Sequence, residues 1–369
     1  MTLKKLAKKI CATLAAGVFG LTITFSALPA PNVSAFGFSE ALGIGAAVLS
    51  GSAQMEQAKK QIDYFNNTEE GRQELYQYFR EQQGVNEDPT LNSRLSAIMA
   101  NLSNAVAQID PSINNKPYLY FIASDESLNA ACAMGHVMMV NTGAFMHLAS
   151  DDEIAAIVGH EMGHGQKDHG AKGIKKQINK TMLAQIGATA AGGGTIANVV
   201  ASIALTNSIA HGDRKQETEA DNLAWEYILR TNYNPGACAA VMQRLAELYG
   251  EKSNSTFLNP SDHPDTAKRR DNYANKLYEY SGKHASANSG VVTVNGKTFM
   301  TVAATSSMSS AERAFFILGN IAAAYHNKHN FSEAYVQNGT VMLGAQPIIA
   351  PEEGDEDAYT LAERLNSIK

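Results

Sequence analysis

Cysteine is nearly missing from this chain, with three in 369 residues, and there is one tryptophan. Cys11 sits in an N-terminal apolar run with no lipobox before it, which argues against a lipoprotein. That leaves Cys132 and Cys238, enough for one disulfide at most. Cys132 is expected on a strand and Cys238 at a helix start after Asn234-Pro235-Gly236, so the two are not expected to meet. Basic charge is also scarce. The net charge is −6, and the first 35 residues hold four lysines and no acid, so the remainder is more acidic still. With no basic stripe, nucleic acid is excluded as a partner, and adhesion to an anionic membrane is disfavoured.

Long apolar runs are few. The first follows Lys4, Lys5, Lys8 and Lys9 and runs from Ile10 to Leu28. Val33-Ser34-Ala35 then offers a small-residue cleavage site before Phe36, so residues 1–35 read as a secretory signal. An uncleaved anchor is the rival reading. Gly17, Gly20, Thr22, Thr24 and the Pro29/Pro31 exit favour cleavage. The second run, residues 181–210, carries no charge, but Gly192-Gly193-Gly194 splits it. Its pieces of roughly ten and sixteen residues are too short for two spans, so a buried helical hairpin is expected there. No repeat at a helical-repeat period is found, which excludes a tetratricopeptide tail.

Against these absences stands His160-Glu161-Met162-Gly163-His164, an H-E-x-x-H string. On a helix its two imidazoles lie on one side, a turn apart, and can share one metal ion, with the glutamate aimed at a water beside it. The helix is expected, because Ser150-Asp151-Asp152-Glu153 reads as a capping box and Ile154, Ile157 and Val158 follow at helical spacing. Gly163 and Gly165 are poor helix residues that permit a neighbouring backbone to approach closely. The bland alternative is a surface helix with two chance histidines.

A catalytic zinc site needs a third protein ligand. His169 follows closely, but Lys167 and Gly170 break the metzincin pattern; His211 adjoins Gly212 in an expected turn. The segment from Arg214 to Asp221 offers two glutamates. Ala220, Leu223, Ala224, Tyr227 and Ile228 form an apolar stripe that includes Glu217 and leaves Glu219 outside. A carboxylate on a buried face is costly unless paired or bound to metal, so Glu217 is the expected ligand. Asp221, one turn on, suits the orientation of a ligand imidazole. Glu219 is expected on a solvated face.

H-E-x-x-H followed some fifty residues later by Glu217-x-x-x-Asp221, with Arg214 three before that glutamate, resembles the HtpX-like and CaaX-prenyl-protease-type zinc metalloendopeptidases. Asn129-Ala130 and Asn141-Thr142-Gly143 are similar to the strand pair that precedes the family's catalytic helix, and His263-Pro264 resembles its His-Pro element. The likeness spans about residues 60–280. It implies a gluzincin with one zinc per chain on His160, His164 and Glu217, and Glu161 as catalytic base. His263 is the candidate oxyanion donor, by resemblance and because His-Pro restricts its backbone; His211 and Arg214 are runners-up. Cys132 and Met134-Gly135-His136 depart from the family pattern on the expected substrate-facing strand.

Helices are expected over 68–83, 90–109 and 311–326, strands over 118–123 and 137–140, and a β-hairpin over 291–302 about Asn295-Gly296. The fold class is α+β, mainly α: a zincin-like domain over 36–283 with a small sheet edging the cleft, then an accessory unit over 284–369. His326 and His329 are read as a solvated helix end. The expected activity is zinc-dependent hydrolysis of unfolded or extended polypeptides, the substrate strand pairing with the 132–140 edge, in periplasmic or extracellular protein turnover. The readings kept open against it are a latent or chaperone-like binding module and an intramembrane prenyl-protein protease, which would need several spans.

Overall fold

The computed structural model describes residues 51–177, 214–250 and 266–369, together with 197, 200, 201 and 203–205. Helix α1 covers Gly51–Asn67 and α2 covers Glu69–Gln83. Between them the Thr68 hydroxyl accepts the Gly71 N–H at 3.0 Å, satisfying a donor that the first turn leaves without a partner. Helix α3, Pro89–Ile109, starts the same way: Asp88 accepts from Thr90 and Leu91, and proline stands in the first turn, where its missing N–H costs nothing.

Three strands follow: β1 (Leu119–Ala123), β2 (Ala130–Ala133) and β3 (Val137–Asn141). Their spatial order is β1-β3-β2, with β1 parallel and β2 antiparallel to β3. The expected strands are there. Cys132 lies on a strand as expected, but Ala-Ala-Cys-Ala carries no β-branched signal that would set the bounds of β2. Strand β2 takes one edge and moves Val137–Val140 to the centre, so an incoming strand on that side adds beside β2.

Both sheet faces are covered. Ile122, Met138 and Val140 pack with Leu102 of α3 and with Ile154 and Val158 of α5, which runs from Asp151 to Gln166. On the other face Phe121, Val137 and Met139 meet Ile62 of α1, Phe79 of α2 and Ile174 of α6, His169–Gln177. A short helix α4, Thr142–His147, joins β3 to α5. The expected 181–210 hairpin lies mostly outside the described residues; of those described, Val200, Ala201 and Ala204 are buried in the second cluster. No described helix is long and apolar enough to cross a membrane.

Helices α7 (Arg214–Ile228), α8 (Ala237–Tyr249) and α9 (Thr266–Tyr280) continue the first core. Then one pattern occurs twice. Strands β4 (Ala285–Asn288), β5 (Val291–Val294) and β6 (Lys297–Thr301) form an antiparallel meander followed by α10, Ser310–His326. Strands β7 (Ala334–Gln337), β8 (Thr340–Leu343) and β9 (Gln346–Ile349) form another, followed by α11, Ala358–Ile368. The first turn of each is a left-handed pair, Ser289-Gly290 in one and Asn338-Gly339 in the other. The expected Asn295-Gly296 hairpin forms with both residues at positive φ, as its twist requires. Phe299, Leu318, Val341 and Leu365 from these units share one buried cluster with Leu102 and Ile154.

Candidate metal centre

The site is built on two helices that touch. Helix α5 begins at the Ser150/Glu153 capping box: Glu153 N–H donates to the Ser150 hydroxyl at 3.3 Å and Ser150 N–H to Glu153 Oε2 at 3.1 Å. Three turns on, the helix presents His160 and His164 on one face. Their Nε2 atoms lie 3.1 Å apart with the rings inclined at 74°. Helix α7 lies directly against this segment because Gly163 has no side chain. A Cβ there would come within 3.0 Å of Ala220 Cα and 3.1 Å of its carbonyl oxygen.

That closeness delivers Glu217. It is 1% exposed, its Oε1 lies 3.2 Å from His164 Nε2, and its Oε2 lies 3.4 Å from His160 Nε2. Among the described residues these three alone form a cluster of metal-ligating groups. The geometry can be tested against an ion. Ligand bonds of about 2.05 Å at tetrahedral angles would separate donor atoms by about 3.3 Å. The ring nitrogens at 3.1 Å, and Glu217 Oε1 at 3.2 Å from His164 Nε2, lie close to that edge length, while the other oxygen, Oε2, faces His160 Nε2 at 3.4 Å. Two imidazoles and one carboxylate are also the donor chemistry of a catalytic zinc site.

Around this trio the structure supplies orientation. Asp221 Oδ1 accepts from His160 Nδ1 at 2.9 Å. Asp221 is itself gripped by Arg269 of α9, whose Nε donates to Oδ2 at 2.9 Å and whose Nη2 donates to Oδ1 at 2.6 Å; the Tyr273 hydroxyl donates to Oδ1 at 3.0 Å. Burial alone would raise the Asp221 carboxyl, but Arg269 and the His160 contact hold it well below the carboxylate range. Burial and Arg269 press the His160 ring toward neutrality; hydrogen bonds to Asp221 and Glu217 outweigh them and lift its pKa to about 9. The Glu217 and Asp221 carboxylates thus draw positive charge onto the His160 ring, as they would draw a cation.

Glu161 reaches the sheet. It is completely buried, and its Oε2 accepts the Cys132 N–H of β2 at 3.0 Å. The Cys132 thiol faces the Ala133 carbonyl and lies outside the metal-ligating cluster. Cys132 and Cys238 are both buried and unbridged.

The structure therefore brings His160, His164, Glu217 and Asp221 together, with Glu161 next to His160 on α5 and hydrogen-bonded to β2. His263 and His211 lie outside the described residues, and Arg214 is exposed at the start of α7. Glu219 needs correction: it is half-exposed but not merely solvated, because it pairs with Lys167 and His169 at 3.3 Å each. Sequence reasoning missed Arg269 and Tyr273. The signal was present, since Thr266, Arg269, Tyr273 and Leu277 form the buried stripe of α9. The argument that singled out Glu217, a charge on an apolar face, applies equally to Arg269. His326 is exposed at the end of α10, as read, though its ring stacks on Tyr280 at 4.1 Å between centroids.

A buried His-His-Glu constellation on two helices beside a three-stranded sheet defines a metallopeptidase. Residues 89–276 match peptidase family M48, and the chain belongs to that family. It is 26% identical over 194 residues to metalloprotease LoiP of Escherichia coli, covering 50% of this chain and 72% of LoiP. To the mitochondrial metalloendopeptidase OMA1 of Arabidopsis thaliana it is 28% identical over 148 residues, 40% of this chain and 29% of OMA1. To the beta-barrel assembly-enhancing protease of E. coli it is 24% identical over 144 residues, 36% of this chain and 28% of that protein. The chain thus spans less than a third of the last two.

Proposed function

We propose that this chain is a zinc-dependent endopeptidase. His160, His164 and Glu217 hold one ion, and Glu161 serves as general base and then general acid. The observation that carries the proposal is the convergence of three buried metal-ligating side chains, delivered by helices whose contact Gly163 makes possible. A zinc ion held there would supply Lewis acidity toward water and toward the scissile carbonyl. The chain's residues do the rest. Glu161 takes a proton from the attacking water and passes it to the departing amine. The Cys132 N–H fixes the glutamate's rotamer through Oε2. Asp221, braced by Arg269 and Tyr273, keeps the His160 proton on Nδ1 and its Nε2 turned toward Glu217. An extended substrate adds beside the edge strand β2, because backbone pairing grips a peptide without regard to its sequence. His263 remains the proposed oxyanion donor.

The natural substrates are proposed to be unfolded or extended polypeptides outside the cytoplasm, with residues 1–35 as an export signal, 36–283 as the peptidase domain and 284–369 as an accessory region. The name of the beta-barrel assembly-enhancing relative fits such a place. Elemental analysis of purified protein together with casein digestion tests the activity. About one zinc per chain, digestion abolished by chelator, and a Glu161→Gln variant that keeps zinc but loses nearly all turnover are expected. Zinc-free protein, or unchanged digestion by Glu161→Gln, would refute the assignment. Capture of casein without cleavage would favour a binding module instead.

A further inference from the structure

We infer that His169 and Glu219 are positioning residues that fix the tautomer of His164, so that its Nε2 presents a lone pair to the metal. This rests on the zinc reading above. Counting protons carries the argument. His164 Nε2 faces His160 Nε2 at 3.1 Å and Glu217 Oε1 at 3.2 Å. To receive a cation it must be unprotonated, which puts the proton of a neutral ring on Nδ1. That Nδ1 lies 3.0 Å from His169 Nδ1. Two imidazole nitrogens share a hydrogen bond only if one of them carries the hydrogen. His169 Nδ1 is therefore the acceptor, and the His169 proton sits on Nε2. His169 Nε2 lies 3.3 Å from Glu219 Oε2, and a carboxylate can only accept. Each assignment forces the next, and the chain ends on a fixed negative charge, which Lys167 Nζ steadies at 3.3 Å from Oε1.

The fold makes the contact rigid. After α5 ends at Gln166, Asp168 takes a left-handed φ of 50°, turning the chain back so that α6 opens with His169 against α5. The His169 ring is buried and meets His164 edge-on, centroids 5.0 Å apart at 72°. Its neighbour Gly170 seats α6 against the sheet, where a Cβ would come within 3.1 Å of Met134 N. The two ligand imidazoles are thus served unequally. At Nδ1, His160 reaches a carboxylate directly, whereas His164 reaches one through a second imidazole.

Zinc affinity, measured by competition with a chromogenic chelator, tests this without reference to turnover. His169→Leu is expected to hold zinc about ten- to a hundredfold more weakly. His169→Asn should recover most of that loss, because its amide oxygen reaches the place of Nδ1 and accepts the same hydrogen. The half-exposed Glu219→Ala should weaken zinc severalfold with the fold intact, and it carries the test if His169→Leu does not fold. In zinc-loaded wild type, nitrogen-15 spectra should show His164 protonated at Nδ1 and His169 at Nε2. The opposite tautomers, or wild-type affinity in both His169→Leu and Glu219→Ala, would overturn the relay and leave the metal reading standing. A wild-type chain that takes up no zinc would overturn both.

Discussion

Asp221 and Arg269 meet where one carboxylate would serve both the proposed metal site and stability. Asp221 faces a candidate ligand ring on one side and a buried guanidinium on the other. Removing it strands that guanidinium, which typically costs about 3–5 kcal/mol. Asp221→Ala should therefore lower the urea midpoint strongly and also weaken zinc retention about ten- to a hundredfold. Adding Arg269→Met should recover much of the stability, because no unpaired charge remains, but none of the metal retention. If the double variant held zinc like wild type, the role of Asp221 would be structural. At this scale the sequence was legible wherever chemistry and helical spacing coincided: His160, Glu161, His164, Glu217 and Asp221 follow from a motif and a stripe. His169 was weighed only as a ligand, and Arg269 was passed over. Both act through other side chains, and such partners become visible only when separate helices are packed together.

Among the elements, the contact between α5 and α7 governs the site, and two glycines divide its tolerance. At Gly163 a Cβ would press on Ala220 backbone at 3.0 and 3.1 Å. At Gly159 the nearest atoms are Leu102 Cδ2 at 3.7 Å and Ala224 Cα at 3.8 Å, ordinary contact distances. Gly163→Ala should thus cost about 1–3 kcal/mol by overpacking and weaken zinc by moving Glu217 away from the rings. Gly159→Ala should be neutral, or stabilising by up to about 1 kcal/mol, since alanine favours the helix. Thermal unfolding with zinc titration of both variants checks the contrast; equal behaviour would mean the helices do not touch as described. Long helices with caps and the Asn-Gly hairpin were readable ahead of the structure. Strands β4 and β7–β9 were not, and of β2 only the place of Cys132 was. Each is four residues long, and β2, β4 and β7 lack an unbroken β-branched run, so neighbouring strands rather than local preference define them.

Across the whole molecule, a buried acid pair joins helix α5 of the metal centre to helix α10 of the first meander unit. Glu153 caps α5 and Glu312 caps α10, and Arg244 of α8 stands between them, its Nε 3.5 Å from Glu153 Oε1 and 2.6 Å from Glu312 Oε1. Burial, and then the hydrogen bond and charge of Glu153, raise the Glu312 pKa to about 8 against the pull of Arg244. The folded state therefore keeps a proton that the unfolded chain releases near pH 4.5. Its stabilising contribution is complete below that value and is lost as pH rises to about 8, at a rate on the order of 1 kcal/mol per pH unit. Urea midpoints between pH 5 and 9 should fall more steeply for wild type than for Glu312→Gln, which stays neutral and can still form the capping box. Parallel curves would remove the shared proton. A wider consequence attaches to the donor set. His164 and Glu217 stand more than fifty residues apart in sequence, so an ion gripping both would act as a reversible cross-link that shortens the free chain between them. Stripping that ion should lower the unfolding temperature and loosen the intervening segment for attack by other proteases, so the supply of metal would decide how long each copy survives as well as whether it cuts.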